Sequence, residues 1–170
     1  MQEKLITIPK SVYESERKMR FFGTDSEEVY NKKYNIFIGV SISNKKITPD
    51  MAYNYLSWAI RNTKEKVAVI IADELNIVNY EILDKYSKSK ANNRAKRVGG
   101  EFEKLFRDAV KKLPKDNQNK VKIYRWNKIN ENKQYKKIKD FLQEEYKKDI
   151  EFKSAVRYFI KKYVRKRGKI

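Results

Sequence analysis

The chain has 170 residues, one domain's worth of polypeptide, with 40% hydrophobic and 13% aromatic residues, enough for a packed core despite a charged fraction of 37%. It carries 41 Lys and Arg against 22 Asp and Glu, a formal net charge of +19, an excess that fits a nucleic-acid backbone or an anionic membrane surface. Histidine and cysteine are both absent, which excludes a Ser-His-Asp triad, a thiol nucleophile and nearly all zinc sites; acid-base work falls to carboxylates, tyrosines, lysines or the substrate.

No apolar run is long enough to cross a bilayer, and the opening MQEKLITIPK lacks the basic-then-apolar order of a signal peptide, so a cytoplasmic chain is expected. Residues 1–33 read as an N-terminal extension: the apolar LITI, a helical SVYESERKMRFF, and a break at Gly23-Thr24-Asp25. YNIFIGVS (34–41) is β-branched, aromatic and uncharged, the pattern of a buried strand. TPD at 48–50 is a helix start, with Thr48 as cap, Pro49 in the first turn and Asp50 at the positive dipole end. That helix runs to about Asn62 and places Tyr55, Leu56, Ala59 and Ile60 on one side.

KVAVIIAD (66–73) is a second buried strand ending in a carboxylate, followed by a helical stretch over about 76–86. A long basic helix spans about 88–113, although Gly99-Gly100 inside it costs roughly 1 kcal/mol per glycine relative to alanine. Pro114 and KDNQNK form a loop, VKIYRW (121–126) a third strand, and NKINENKQY leads into helices at about 134–148 and 150–166. Strands alternating with helices predict a parallel sheet covered by helices, with ligands bound beyond the carboxyl ends of the strands. Ser41 and Asp73 both sit at such ends.

GVSIS falls one residue short of the G-x-S-x-G elbow, since Ser43 replaces the second glycine, and no histidine is present to activate Ser41. Two readings of Ser41 stand. It closes a strand by satisfying backbone groups, the commoner role of such serines, or it attacks a substrate that is already activated. An aminoacyl ester on tRNA meets the second condition, because its carbonyl is reactive and its leaving group is a ribose alcohol. Gly39 would then let the substrate approach the backbone closely. Asp73 either binds an amino group or caps the next helix. Tyr124, Trp126 and Tyr135 either stack on a base, line a pocket or belong to the core.

Lys88, Lys90, Arg94, Lys96, Arg97, Lys104, Arg107, Lys111 and Lys112 fall along the basic helix, with Phe102, Leu105, Phe106 and Ala109 as its inward face. Such a helix can track a phosphate backbone; a solvated charged face is the alternative. KKYVRKRGK (161–169) is a second basic cluster, or a basic tail.

Taken together, FIGVSISN, YLSWAI, VAVIIAD, the basic helix with AKR, YRWNKI and QEEYKKDIEFKSAVRYFI resemble the tRNA-dependent cyclodipeptide synthases from about Tyr34 to Arg167. The resemblance implies a single Rossmann-like domain over 1–170, a parallel sheet with helices on both faces, similar to the catalytic domains of class I aminoacyl-tRNA synthetases. It implies two aminoacyl-tRNAs used in turn, an aminoacyl-enzyme on Ser41, and cyclisation to a diketopiperazine without ATP or another cofactor. A non-catalytic tRNA-binding module on the same fold is the alternative. Gly39 matches the glycine before the nucleophile and Asn44 an asparagine that marks one of the two subfamilies. Phe37, Ile70 and Trp126 match positions lining the first aminoacyl pocket, with Tyr135 beside them. Lys90, Arg94, Lys96, Arg97, Lys104 and Arg107 fall on the tRNA-binding helix, and Lys166 and Arg167 where a second tRNA-contacting pair is expected. A monomer without membrane or metal partners is expected. The family pattern continues past this point with a Tyr-x-x-x-Glu segment and a later strand-end tyrosine, neither of which occurs in these 170 residues, so the pattern is incomplete at its C-terminal end.

Overall fold

In the computed structural model the described residues are 6–7, 18–19, 26–32, 34–44 and 46–168, with side chains described within 27–165. Two short strands, β1 (Ile6–Thr7) and β2 (Lys18–Met19), pair antiparallel, with Ile6 opposite Met19. Lys18 and Met19 fall within the stretch expected to be helical and are instead extended. Pairing with β1 gives their backbone partners across the strands, which outweighs the local helical pattern. The rest of that stretch and Gly23-Thr24-Asp25 lie outside the described residues. A five-residue helix, α1 (Ser26–Tyr30), follows.

The sheet is built from β3 (Ile36–Val40), β4 (Val67–Ile71) and β5 (Val121–Arg125), all parallel in the order β3-β4-β5. Gly39 stands opposite Ile70 and Ile70 opposite Tyr124; one residue on, Val40, Ile71 and Arg125 align. The first crossover is α2 (Pro49–Asn62), which starts as expected: Met51 N–H donates to Thr48 Oγ1 at 3.2 Å, and Pro49 needs no partner for a missing donor. The second crossover carries a 3₁₀ turn (Glu74–Asn76), α3 (Ile77–Ile82) and α4 (Lys88–Lys111), capped by Ser87. A short α5 (Lys115–Gln118) occupies the stretch expected to be loop.

Two right-handed crossovers that advance in the same direction across a sheet lie on the same face. Accordingly α2 and α4 pack against each other and share a core with alternate strand residues: Leu56 and Ala59 from α2, Val67, Val69 and Ile71 from β4, Phe106 and Ala109 from α4. Phe102 and Leu105 pack at its margin, so the inward face of α4 is the one expected. Each buried Val, Ile or Leu contributes about 1.5–3 kcal/mol, enough to carry α4 straight through its two glycines. The opposite face of the sheet carries Phe37, Gly39, Ile70 and Tyr124, and there Phe37 is 61% and Tyr124 40% exposed.

The third strand ends at Arg125, one residue earlier than expected, because Trp126 opens a six-residue helix, α6 (Trp126–Glu131). Two longer helices complete the chain, α7 (Lys133–Lys148), capped by Asn132, and α8 (Ile150–Gly168), close to the bounds read from the sequence.

Candidate active site

Ser41 is the first residue beyond β3 and is exposed. Its carbonyl accepts the Asn44 N–H at 3.0 Å, closing a four-residue turn, while buried Ile42 anchors that turn in the core. The alternation Ser-Ile-Ser therefore points Ser41 and Ser43 away from the core. Their hydroxyl oxygens lie 2.8 Å apart, and the Ser43 N–H donates to Ser41 Oγ at 3.4 Å. Asn44 is exposed as well, its Oδ1 accepting from Lys46 N–H at 3.2 Å. Among the described residues Ser41 thus has a hydroxyl and an amide as partners, and no base. Ser43 is a participant that the sequence reading used only to reject the hydrolase elbow; the i, i+2 spacing was its signal.

Phe37, Gly39 and Ile70 share the open face leading to this turn, Gly39 and Ile70 in direct register. Tyr124 joins them as the cross-strand neighbour of Ile70, a place that the alternation of VKIYRW would have given. Trp126 stands past the end of β5, its ring edge-on to Tyr135 with centroids 5.8 Å apart. Tyr135 also lines a groove of about 420 Å³ between α7 and α8, with Ile138, Leu142, Tyr146, Phe152 and Val156.

Asp73 neither caps the following turn nor stays open for an amino group, which corrects both readings of it. Its Oδ2 accepts from Arg125 Nε at 2.8 Å and Nη2 at 2.5 Å, and its Oδ1 accepts the Trp126 N–H at 3.1 Å. That last bond diverts the Trp126 amide from the β5 ladder and explains the early strand end.

Lys90, Arg94, Lys96, Arg97, Lys104 and Arg107 are all exposed along α4. Ser87, Ser89, Lys90, Asn93, Arg94 and Arg97 line a shallow depression of about 460 Å³ at its start. Several of these charges are engaged within the protein. Arg97 pairs with Glu101, Arg107 with Glu103 at 2.6 Å, and Lys90 lies 4.1 Å from the Tyr86 ring centroid. Lys111, hydrogen-bonded to Asp108, holds that carboxyl below its ordinary range. Arg94 and Lys96 form no salt bridge among the described residues. Lys166 and Arg167 fall in the last turn of α8, and their side chains lie outside the described residues. Among the described residues no group of three His, Cys, Asp or Glu could hold a metal, and no helix is long and apolar enough to cross a membrane.

Three solved structures share this arrangement of sheet and helices. The Mycobacterium tuberculosis protein Rv2275, whose structure relates cyclodipeptide synthetases to type I tRNA synthetases, matches with a TM-score of 0.70 at 16% identity, over 81% of this chain and 61% of its own. AlbC, a cyclodipeptide synthase from Streptomyces noursei, matches at 0.60 and 20% identity, over 72% and 56%. A cyclodipeptide synthase from Fluoribacter dumoffii matches at 0.68 and 15% identity, over 85% and 62%. The chain spans about three fifths of the length of these structures. No curated protein matches it by sequence. Identities this low establish the parallel-sheet fold alone. The cyclodipeptide synthase family profile itself matches residues 18–170, from β2 through the strand-end serine and the basic helix to the end of α8. By that match the chain belongs to the cyclodipeptide synthase family.

Proposed function

We propose that this chain carries the aminoacyl-transfer site of a cyclodipeptide synthase, with Ser41 as acceptor and aminoacyl-tRNA as donor. One observation carries the reading: an exposed strand-end hydroxyl, bonded to a second hydroxyl rather than a base, on a frame of this family. Such a group suits ester exchange, which needs little activation and no ATP because the donor ester is already reactive. Ser41 Oγ attacks the aminoacyl carbonyl, the new ester forms on serine, and the ribose oxygen leaves with the serine proton. Ser43 gives that proton a first place to go. The amino group of the aminoacyl-enzyme attacks the carbonyl of the second aminoacyl-tRNA, whose ribose oxygen leaves with a proton as free tRNA; the amino group of the resulting dipeptidyl-enzyme then attacks the Ser41 ester, closing the ring and returning the Ser41 hydroxyl. Gly39, Asn44 and the open face with Phe37, Ile70 and Trp126 receive the first aminoacyl group, Tyr135 buttressing Trp126. The positive charges of α4, joined by Lys166 and Arg167, hold the tRNA phosphates; each contact adds salt-dependent affinity.

The test is incubation with two labelled aminoacyl-tRNAs and analysis for acyl-protein and diketopiperazine. Salt-sensitive tRNA binding with neither adduct nor ring would favour a tRNA-binding module on the same fold.

A further inference from the structure

At the carboxyl ends of β4 and β5 a single side-chain network ties three separate parts of the chain together. Asp73, with its side chain 4% exposed, has both oxygens engaged: one by the Arg125 fork, the other by the Trp126 N–H. Arg125 reaches the other way, into the basic helix, where its Nη2 donates to the Lys96 carbonyl at 3.0 Å and its Nη1 lies 3.5 Å from Glu103 Oε2. Glu103 in turn binds Arg107. Gly99 makes this possible. A β-carbon built on it would stand 2.7 Å from Arg125 Nη2, 2.7 Å from Asp73 Cβ and 2.9 Å from Asp73 Oδ2, so only a glycine lets α4 press onto the pair.

From this geometry we infer that Asp73 and Arg125 are positioning residues, a clamp under Gly99 that sets Trp126 relative to the strand ends and fixes α4 to the same frame. Five hydrogen bonds across three parts of the chain do more than neutralise a buried charge. A lone ion pair is often replaceable by apolar residues at no loss, whereas this one also sets where β5 stops and α6 begins. Lysine in place of Arg125 would keep the charge but lose the planar fork that binds Asp73 and the Lys96 carbonyl together. A displaced Trp126 changes the first aminoacyl pocket while leaving the exposed charges of α4 available to phosphate. The role in acyl transfer rests on the Ser41 reading; the placement of Trp126 does not.

The experiment uses the full chain with Trp58→Phe, which leaves Trp126 as the sole tryptophan. Arg125→Lys is compared with its parent by Trp126 emission, acrylamide quenching, single-turnover acyl transfer from aminoacyl-tRNA, and binding of uncharged tRNA. The expected result is a red-shifted, more quenchable Trp126, transfer at saturating donor slowed by about ten-fold or more, and tRNA affinity within about two-fold of the parent. Unchanged emission and quenching would overturn the clamp, as would transfer, tRNA affinity and Tm all falling together, which marks support of the fold alone. Should Arg125→Lys not fold, Asp73→Asn is read by the same criteria, since it keeps the shape and removes the charge. If the parent forms no acyl-protein at all, the Ser41 reading fails and the fluorescence arm alone decides the clamp.

Discussion

Phe37 lies over Gly39: a β-carbon added to Gly39 would meet the Phe37 ring at 3.3 Å, with the next ring atom at 3.6 Å. Phe37 is largely exposed, so its ring can shift by the few tenths of an ångström that a methyl requires. Gly39→Ala is therefore expected to change stability by no more than about 1 kcal/mol, while its methyl group occupies space two residues before Ser41 that the account gives to the aminoacyl group. Single-turnover transfer should fall by about ten-fold or more with Tm nearly unchanged. A variant that transfers normally would remove Gly39 from the site.

The two adjacent glycines of α4 should respond in opposite directions. At Gly99 the added carbon collides with Asp73 and Arg125, whereas at Gly100 the nearest atom, Arg125 Nη1, is 3.8 Å away, ordinary contact distance. Gly100→Ala should stabilise by about 0.5–1 kcal/mol through helix propensity. Gly99→Ala should destabilise by about 1–3 kcal/mol despite the same gain, because overpacking outweighs it. Urea denaturation of the two variants side by side checks the sign.

Affinity for tRNA should depend on which cations of α4 are free to meet phosphate. Arg94 has no intramolecular salt bridge among the described residues, while Arg97 is held by Glu101. Arg94→Ala should lower the slope of log Kd against log salt by about 0.7–0.9, the loss of one phosphate contact. Glu101→Gln should tighten binding at low salt by releasing Arg97 and removing a like-charged neighbour of the phosphates. Titrations with uncharged tRNA at several salt concentrations measure both. No change in slope for Arg94→Ala would take that residue off the tRNA surface.

The existence of the three strands, the α2 start at Thr48-Pro49 and the buried side of α4 were all legible, because each rests on a local signal: β-branched runs, a cap with proline, or helical spacing of Phe102, Leu105, Phe106 and Ala109. The partner of Asp73 was not. Arg125 lies 52 positions away, on the third strand, and no periodicity links them. For the same reason Gly99 read as a cost to α4, when its meaning lies in what the missing side chain lets approach. The early end of β5 follows from that long-range bond as well. Lys18 and Met19 show the converse, where pairing with Ile6 and Thr7 outweighs a local helical pattern.

Under the proposed function Ser41 takes the aminoacyl group. Intact-mass measurement after incubation with aminoacyl-tRNA, followed by peptide mapping, tests it most directly. One aminoacyl addition is expected on the peptide containing Ser41 in the parent chain, none in Ser41→Ala, and a reduced but measurable amount in Ser43→Ala. Equal labelling of Ser41→Ala and the parent would contradict it.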